Sequence, residues 1–332
     1  MYVSAEVSPF AKVGGLADVA ASLPKALATL GHDVRLVTPD HGGRVAAAGA
    51  APAASFDVAF LGRNERVVVL AGRLAPQAVI YFIGNATYFS GERVYGAPDD
   101  LLRYHFFCRA VLELPKVLDW RPDVINCNDW HTALIPFGLR NRAWNDPFYR
   151  GAASALTIHN LGYRGPDDAS DVLSQGIFYA GVVSTVSPTY AREITTPEFG
   201  QGLHTLLQLR GDRLYGIVNG LDLDLFNPGT DPAIAAHYSA AAPGGKAANK
   251  AALQQTLGLK VDPRAPLAGM VSRLDYQKGV ELVLDSIERG VTELGVQFVV
   301  LGSGEPKYQQ RLRELAARWP GSVHAEFGFA AA

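Results

Sequence analysis

Short apolar segments alternate with helical patterns along the chain, and this alternation constrains its fold more than any other feature. The predicted strands of the longer first part are 2–6, 33–39, 56–61, 66–70, 78–83, 124–127, 155–158, 182–186 and 214–218. Helical patterns at 16–30 and 99–118 separate some of these strands. Strands that alternate with helices form parallel βαβ units, so the pattern predicts an α/β fold.

A segment rich in alanine, proline and glycine at 239–245 interrupts the alternation, and a second series begins after it. We therefore predict a first domain over residues 1–238, a linker over 239–250 and a second domain over 251–332. The strands of the second series are 266–271, 297–301 and 323–325. Two helices with apolar side chains at helical spacing are predicted between them. These side chains are Val280, Val283, Leu284 and Ile287 in the first helix and Tyr308, Leu312, Leu315, Ala316 and Trp319 in the second. A doubly wound sheet usually has about five or six strands, so the second domain is expected to be incomplete.

Polar residues directly follow several of the predicted strands. Lys12, Asp129, His159 and Asn219 each come just after a strand. In parallel α/β sheets, ligands bind at the carboxyl ends of the strands. The sequence therefore predicts that these side chains belong to a functional cleft.

Two adjacent glycines, Gly14 and Gly15, stand between the first strand and the first helix. Glycine has no Cβ and can adopt positive φ, so backbone N–H groups at the start of the helix can approach an anion closely. Lys12 adds a mobile positive charge, and together these residues predict a phosphate site. The alternative interpretation is a tight strand-to-helix turn beside a solvated lysine.

The helix after the glycines has apolar side chains at spacings of three and four, which predicts one buried face. These side chains are Leu16, Val19, Ala20, Leu23, Leu27 and Leu30. Pro24 lies inside this helix and is expected to kink it.

Charge and composition restrict the classes of partner. The chain has 30 Lys and Arg against 32 Asp and Glu, a formal net charge of −2. This balance argues against nucleic acids and anionic membrane surfaces as partners bound by bulk charge. No apolar run approaches the ~20 residues of a membrane span, and the N-terminus lacks the pattern of a signal peptide. A cytoplasmic protein is therefore expected.

Cys108 and Cys127 are the two cysteines of the chain, and each lies in an apolar segment. This placement predicts two buried thiols in a reducing compartment, with one disulfide between them as the alternative.

Several short motifs resemble the sequences of bacterial glycogen synthases and plastid starch synthases. The first reads Ala-Glu-Val-Ser-Pro-Phe-Ala-Lys-Val-Gly-Gly-Leu-Ala-Asp-Val, and the last reads Ser-Arg-Leu-Asp-Tyr-Gln-Lys-Gly. The motifs lie at 5–19, 128–131, 157–161, 186–191, 196–200, 219–222 and 272–279. They occur in the order typical of that family and extend over nearly the whole chain.

The resemblance implies a retaining glycosyltransferase of the GT-B type, with two Rossmann-like domains that face each other across a cleft. It implies ADP-glucose as the donor and the non-reducing end of an α-1,4-glucan as the acceptor. It also implies that no metal or other cofactor takes part, so fixed cations have to neutralise the departing nucleotide diphosphate.

In the second domain, Arg273 and Lys278 resemble the family's pair that binds the diphosphate. The alternative is that they are two ordinary surface cations. Gly302 and Gly304 are expected to let the backbone approach the nucleotide, with a simple turn as the alternative.

In the first domain, the resemblance assigns His159 to the donor glucose and Asp129 to sugar hydroxyls near the reacting centre. The alternatives are a core histidine at a strand end and a carboxylate that caps the following helix. Lys12, with Gly14 and Gly15, is expected to contact the phosphates or the sugar from this domain.

Four further residues complete the expected substrate contacts. Glu6 and Asp18 are candidates for contacts with hydroxyls of the acceptor or the donor. Asn160 and Asn219 belong to the matching motifs and are assigned to substrate binding.

The chain departs from the family pattern in three places. The family's first strand usually begins a few residues earlier, and the segment 162–181 is shorter than is usual. The chain also ends after 326–329, before a glutamate-containing motif at the nucleotide-sugar site. The resemblance therefore implies little or no transferase activity for this chain alone.

The alternatives to a glucan synthase that uses ADP-glucose are a non-catalytic glucan-binding or regulatory remnant and a transferase for another nucleotide donor. A Rossmann dehydrogenase is disfavoured because no Gly-x-Gly-x-x-Gly follows the first strand.

Overall fold

The computed structural model describes residues 1–43, 45–141, 145–162, 164–165 and 171–328. It divides into two compact units, Met1–Leu221 and Asp222–Ala332. The strands of the first unit are β1 (Tyr2–Val3), β2 (Val34–Pro39), β3 (Ala51–Phe60), β4 (Arg63–Ala75), β5 (Ala78–Gly84), β6 (Val124–Asn128), β7 (Ala153–Ile158), β8 (Val182–Thr185) and β9 (Leu214–Gly216). Its helices are α1 (Gly15–Thr29), α2 (Asp100–Val117), α3 (Leu134–Asn141), α4 (Val172–Tyr179), α5 (Pro188–Glu193) and α6 (His204–Gln208).

The strands of the first unit form one sheet in the order β3-β4-β5-β2-β1-β6-β7-β8-β9. The pairs from β5 to β9 are parallel, which confirms the predicted α/β fold, whereas β3, β4 and β5 form an antiparallel meander. The chain leaves β1 toward β2 on one side and later returns to β6 on the other. Such a reversal opens a crevice at the carboxyl ends of the two central strands.

The central strands are buried on both faces. Val3 and Val37 pack in a core cluster with side chains of α2, α3 and α4. Their neighbours Tyr2 and Leu36 belong to a second cluster that includes residues of α1. Successive side chains of a strand point to opposite faces, so α1 covers one face of the sheet and the later helices cover the other.

The buried stripe of α1 differs from the predicted one. Its buried residues are Leu16, Ala17, Ala20, Ala21, Pro24 and Ala28. Leu23 and Leu30 are exposed. The small alanine side chains let the helix lie close to the sheet, and the larger leucines are left at its flanks. Pro24 lies inside a single helix that continues to Thr29.

The hairpin of β3 and β4 is longer than predicted. The first of its strands was predicted to begin at residue 56, but β3 begins at Ala51. Leu61 and Gly62 connect the two strands, and both have positive φ (47° and 79°). A two-residue turn with positive φ at both positions matches the twist of paired strands, so it allows the hairpin to extend.

Cys108 and Cys127 are free and buried, as predicted. Within the described parts of the chain, no helix is both long and apolar enough to cross a membrane.

The second unit contains α7 (Gly245–Thr256), β10 (Leu267–Val271), α8 (Val280–Leu294), β11 (Gln297–Leu301), α9 (Pro306–Arg318) and β12 (Val323–Glu326). The strands pair in parallel in the order β10-β11-β12. The helices α8 and α9 contribute most of its core: Val280, Leu284, Ile287, Tyr308, Leu312 and Leu315. Each of these six residues lies at the helical spacing predicted from the sequence, because an amphipathic helix buries the side chains of one stripe.

The boundary between the units lies earlier in the chain than predicted. The units divide after Leu221 rather than after residue 238. The predicted linker 239–250 includes the start of α7, which begins at Gly245. An alanine-rich segment can be a linker or a helix. Asn249 of α7 is held by the backbone of Ala236, since its Oδ1 accepts from the N–H and its Nδ2 donates to the carbonyl.

Candidate functional site

Asp129 stands at the carboxyl end of β6, in the crevice beside β1. Its φ of 56° and ψ of −174° lie in a region that almost only glycine adopts. A side chain held there costs about 1–3 kcal/mol, and such strain concentrates at functional sites. The strained backbone therefore supports a functional position for this carboxylate.

The Asp129 carboxylate joins two strand ends. Its Oδ1 accepts hydrogen bonds from the backbone N–H of His159 at 2.7 Å and of Asn160 at 3.2 Å. It makes no side-chain cap on the 3₁₀ turn Trp130–Thr132 that follows, so the helix-cap alternative is not found. In the described chain, Oδ2 has no hydrogen-bond partner, and the residue is 7% exposed. One oxygen therefore has a structural role, and the other is left without a partner among the described residues.

Burial raises the pKa of Asp129 to about 7, against the opposing effect of the two backbone hydrogen bonds; the nearby Glu6 carboxylate raises it further. The folded state therefore favours the protonated form. This contribution to stability is present below about pH 4 and is lost as the pH rises through about 7.

We expect Asp129→Asn to gain stability relative to the unmodified chain as the pH rises. Asparagine has no proton to lose, and its Oδ1 can still accept both backbone hydrogen bonds. The difference in unfolding free energy should shift in the variant's favour by roughly 2–3 kcal/mol between about pH 5 and about pH 8. Urea denaturation at both pH values measures it, and a difference that does not change with pH contradicts the raised pKa.

His159 follows β7 and faces Asn128. Its Nε2 lies 2.9 Å from Asn128 Oδ1. Burial lowers the pKa of His159 to about 4, so its ring is neutral near neutral pH. The histidine is half-buried rather than enclosed in the core, and its position beside Asp129 brings two of the predicted residues together.

Glu6 organises the loop between β1 and α1. Its Oε2 accepts from the backbone N–H of Val13 at 2.5 Å and of Gly14 at 3.0 Å. Burial raises the pKa of Glu6. The hydrogen bonds from Val13 and Gly14, and a third from the Tyr95 hydroxyl, oppose this rise. The loop predicted to offer bare N–H groups to an anion therefore has two of them occupied by the protein's own carboxylate.

The two glycines of this loop do not have the conformation that was expected. Gly14 is extended, with φ −145° and ψ −167°, and neither Gly14 nor Gly15 has positive φ. A Cβ at Gly15 would have no neighbour within 4 Å. Packing against the described residues therefore does not require glycine at position 15, and an approaching group has room there. Lys12 Nζ pairs with Asp18 Oδ1 at 2.7 Å, so these two predicted residues contact each other.

Sequence reasoning missed Tyr95. Its hydroxyl donates to Glu6 Oε1 at 3.3 Å, and its ring lies 4.9 Å from that of His131. The residue comes from the irregular segment between β5 and α2, where no periodicity or motif points to it. Only the tertiary structure brings this segment to the end of β1.

A buried ion pair anchors the segment that contains Tyr95. Arg103 Nη1 donates to Asp100 Oδ1 at 2.7 Å, and Asp100 Oδ2 accepts from the backbone N–H of Gly96 at 2.5 Å. Arg103 also donates to the carbonyls of Tyr88 and Arg93. The contacts with Gly96, Tyr88 and Arg93 tie the segment to α2, and the ion pair within the helix orients the two side chains that make them.

The cations of the second unit lie beside the start of α8. Arg273 is exposed, and its Nη2 lies 3.5 Å from Asp275 Oδ2. Asp275 Oδ1 accepts from the backbone N–H of Lys278, which fixes the turn Tyr276–Lys278. Gly279 follows with φ 68°, a conformation that favours glycine, and starts α8. Lys278 is exposed, and no acidic side chain among the described residues pairs with it.

Gly302 and Gly304 have a packing role inside the second unit. A Cβ at Gly302 would lie 1.9 Å from the carbonyl oxygen of Ser272, and one at Gly304 would lie 2.2 Å from that of Leu274. These glycines let the chain after β11 approach the chain after β10.

The two asparagines assigned to substrate binding lie in the first unit. The side chain of Asn160 accepts a hydrogen bond from the N–H of Gly162 in a local turn, and Asn219 is exposed after β9.

The structure is similar to the catalytic domain of starch synthase IV from Arabidopsis thaliana bound to ADP and acarbose. The TM-score is 0.88 at 31% identity, and the match covers 99% of this chain and 74% of that chain. The match takes in both units, so the fold is that of a GT-B glycosyltransferase.

A family model for the starch synthase catalytic domain matches residues 1–209. The glycogen synthase of Geotalea daltonii is 41% identical over 362 residues, which cover 99% of this chain and 74% of the relative. The glycogen synthase of Thermotoga maritima is 40% identical with the same coverage. The chain belongs to the glycogen synthase and starch synthase family, and it spans about three quarters of the length of these relatives.

Proposed function

We propose that this protein transfers glucose from ADP-glucose to the non-reducing end of an α-1,4-glucan with retention of configuration. The Asp129 carboxylate carries this proposal, because it joins the strand ends of two motifs typical of glucan synthases. Membership of the family and the likeness to a starch synthase bound to ADP and acarbose support the substrate classes.

We assign donor-sugar and glucan contacts to the first unit and nucleotide contacts to the second. Asp129 Oδ2 and His159 are the candidate polar groups at the strand ends of the first unit. Lys12 and Asp18 flank the loop that Glu6 holds in place. Asn160, Asn219 and the open face of Gly15 complete the candidates in this unit.

Arg273 and Lys278 are assigned to the diphosphate. Charge builds on the diphosphate as the glycosidic bond breaks, and fixed cations stabilise charge that develops in a transition state. Backbone N–H groups in the first turn of α8 have no intrahelical partner and add to a positive environment. Gly302 and Gly304 then act through packing, since they hold the two loops of this unit together.

Competition among nucleotides tests the donor. Calorimetric titration of the chain with ADP, UDP and GDP is expected to show the tightest binding for ADP, and binding of a maltooligosaccharide is expected as well. Tighter binding of UDP or GDP would reject ADP-glucose as the donor. Glucan binding without any nucleotide binding would favour the non-catalytic alternative, which the relatives do not support. Binding is the decisive readout because it reports the choice of nucleotide independently of turnover.

A further inference from the structure

The side-chain amide of Asn128 has one possible orientation. Its Nδ2 donates to the carbonyl oxygen of Val3 at 2.9 Å and to Asn126 Oδ1 at 3.0 Å. A backbone carbonyl can only accept, so the amide nitrogen has to face Val3. The residue is fully buried, and solvent therefore offers no alternative partner.

The amide oxygen of Asn128 therefore faces two donors. Tyr2 Oη lies 3.0 Å from Oδ1, and His159 Nε2 lies 2.9 Å from it. Burial raises the pKa of Tyr2, so its hydroxyl keeps its proton and donates. An amide oxygen can only accept, so His159 Nε2 has to carry a proton as well.

The second ring nitrogen of His159 is then a bare acceptor. A neutral imidazole has one proton, and here Nε2 holds it. Within the described chain Nδ1 has no hydrogen-bond partner, and the residue is half-buried rather than enclosed. The backbone of His159 is fixed by Asp129, so the ring has a defined position at the end of β7.

We propose that Asn128 is a positioning residue that holds His159 in the Nε2-protonated tautomer, so that Nδ1 accepts a hydrogen bond from a hydroxyl of the donor sugar. The use of Nδ1 by a sugar rests on the proposed function, whereas the tautomer does not. An unprotonated nitrogen attracts a hydroxyl and repels a carboxylate or phosphate oxygen. The histidine therefore selects a neutral sugar at this position and takes no part in binding the diphosphate.

The tautomer is measured directly in the full chain by two-bond ¹H–¹⁵N correlation spectroscopy of the histidine rings at neutral pH. The His159 signals are assigned by their loss in His159→Gln. We expect a protonated Nε2 and an unprotonated Nδ1. A protonated Nδ1 in the unmodified chain would overturn the proposal, whatever the activity of the protein.

A matched pair of variants separates positioning from packing. Asn128→Leu removes the acceptor at Nε2 and is expected to lose the single tautomer, so that both ring nitrogens show partial protonation. Tyr2→Phe removes a different donor from the same oxygen and is expected to keep the Nε2-protonated form. An unchanged tautomer in a folded Asn128→Leu would show that another group sets it. If that variant does not fold, the spectrum of the unmodified chain still decides.

Donor analogues test the hydroxyl. We expect one deoxy analogue of ADP-glucose to bind the unmodified chain about tenfold more weakly than ADP-glucose, the loss typical of one hydrogen bond. The same analogue should bind His159→Ala as well as ADP-glucose does. If no deoxy position shows this pattern, Nδ1 does not recognise a sugar hydroxyl. If the tautomer is as expected but ADP-glucose does not bind at all, the proposed function fails and the tautomer assignment stands.

Discussion

In a form of the protein that extends over the full length of its relatives, replacing Lys278 by alanine is expected to lower the rate of glucose transfer from ADP-glucose by about two to three orders of magnitude. The lysine is exposed beside the first turn of α8, and its ammonium group contributes little to the packing of the second unit. Its loss should therefore leave the fold intact and remove a cation from the leaving diphosphate. Incorporation of labelled glucose into a maltooligosaccharide measures the rate, and calorimetry with ADP measures the loss of affinity.

Lys260→Ala is the matched control for Lys278→Ala. Lys260 is also an exposed lysine of the second unit, and its side chain has no partner in the part of the chain that the structure describes. Its replacement should change neither transfer nor ADP affinity. Equal ADP affinity of Lys278→Ala and Lys260→Ala would reject the role assigned to Lys278.

Replacing His131 by phenylalanine is expected to make the first unit markedly more resistant to acid. The ring of His131 is 5% exposed, and neither of its nitrogens has a partner among the described residues. It packs against Trp130 at 4.3 Å, Tyr104 at 4.6 Å and Tyr95 at 4.9 Å between ring centres. Phenylalanine keeps these aromatic contacts without a titratable nitrogen.

Burial lowers the pKa of His131 to about 3. A histidine with a depressed pKa stabilises the folded state above about pH 6.5, and this stability is lost as the pH falls toward the folded value. Relative to the unmodified chain, His131→Phe should gain roughly 3 kcal/mol more unfolding free energy at about pH 4 than at about pH 7.

Urea denaturation at several pH values, followed by tryptophan fluorescence, measures the effect of His131→Phe. The midpoint of the acid transition should move to lower pH. Burial also lowers the pKa of His41, so a residual acid transition is expected in the variant. His32→Asn, at an exposed histidine, serves as the control and should leave the midpoint unchanged. Equal acid midpoints in His131→Phe and the unmodified chain would contradict the assignment.

Local pattern was enough to find the strands and the helices α1, α2, α8 and α9, but not α4. The spacing of Leu284, Ile287, Leu312 and Leu315 predicted the buried faces of α8 and α9, because those side chains have one apolar stripe. The spacing of leucines in α1 predicted the wrong buried face. The alanine side chains of α1 pack against the sheet, and Leu23 is exposed. Periodicity reports which residues are apolar, and the facing surface decides which of them are buried.

The polar residues of the site were visible as residues that follow strands, but their contacts were not. Asp129 was read either as a sugar contact or as a helix cap. The structure shows no side-chain cap and shows that Oδ1 of its carboxylate holds the chain after β7, a contact that the sequence did not predict. Glu6 and Gly14 were predicted to face a ligand, whereas they bond each other. Hydrogen bonds between segments far apart in sequence leave no local signal.

The sequence by itself determined the α/β fold, the family and the strand ends where polar residues gather, because periodicity and motifs are properties of neighbouring residues. Only the tertiary structure decided that Asn128 faces His159, that Tyr95 reaches Glu6 and that His131 is buried without a polar partner in the described chain. Those contacts depend on the order of strands in the sheet. That order places β1 beside β6 and β6 beside β7, although more than a hundred residues separate β1 from β6.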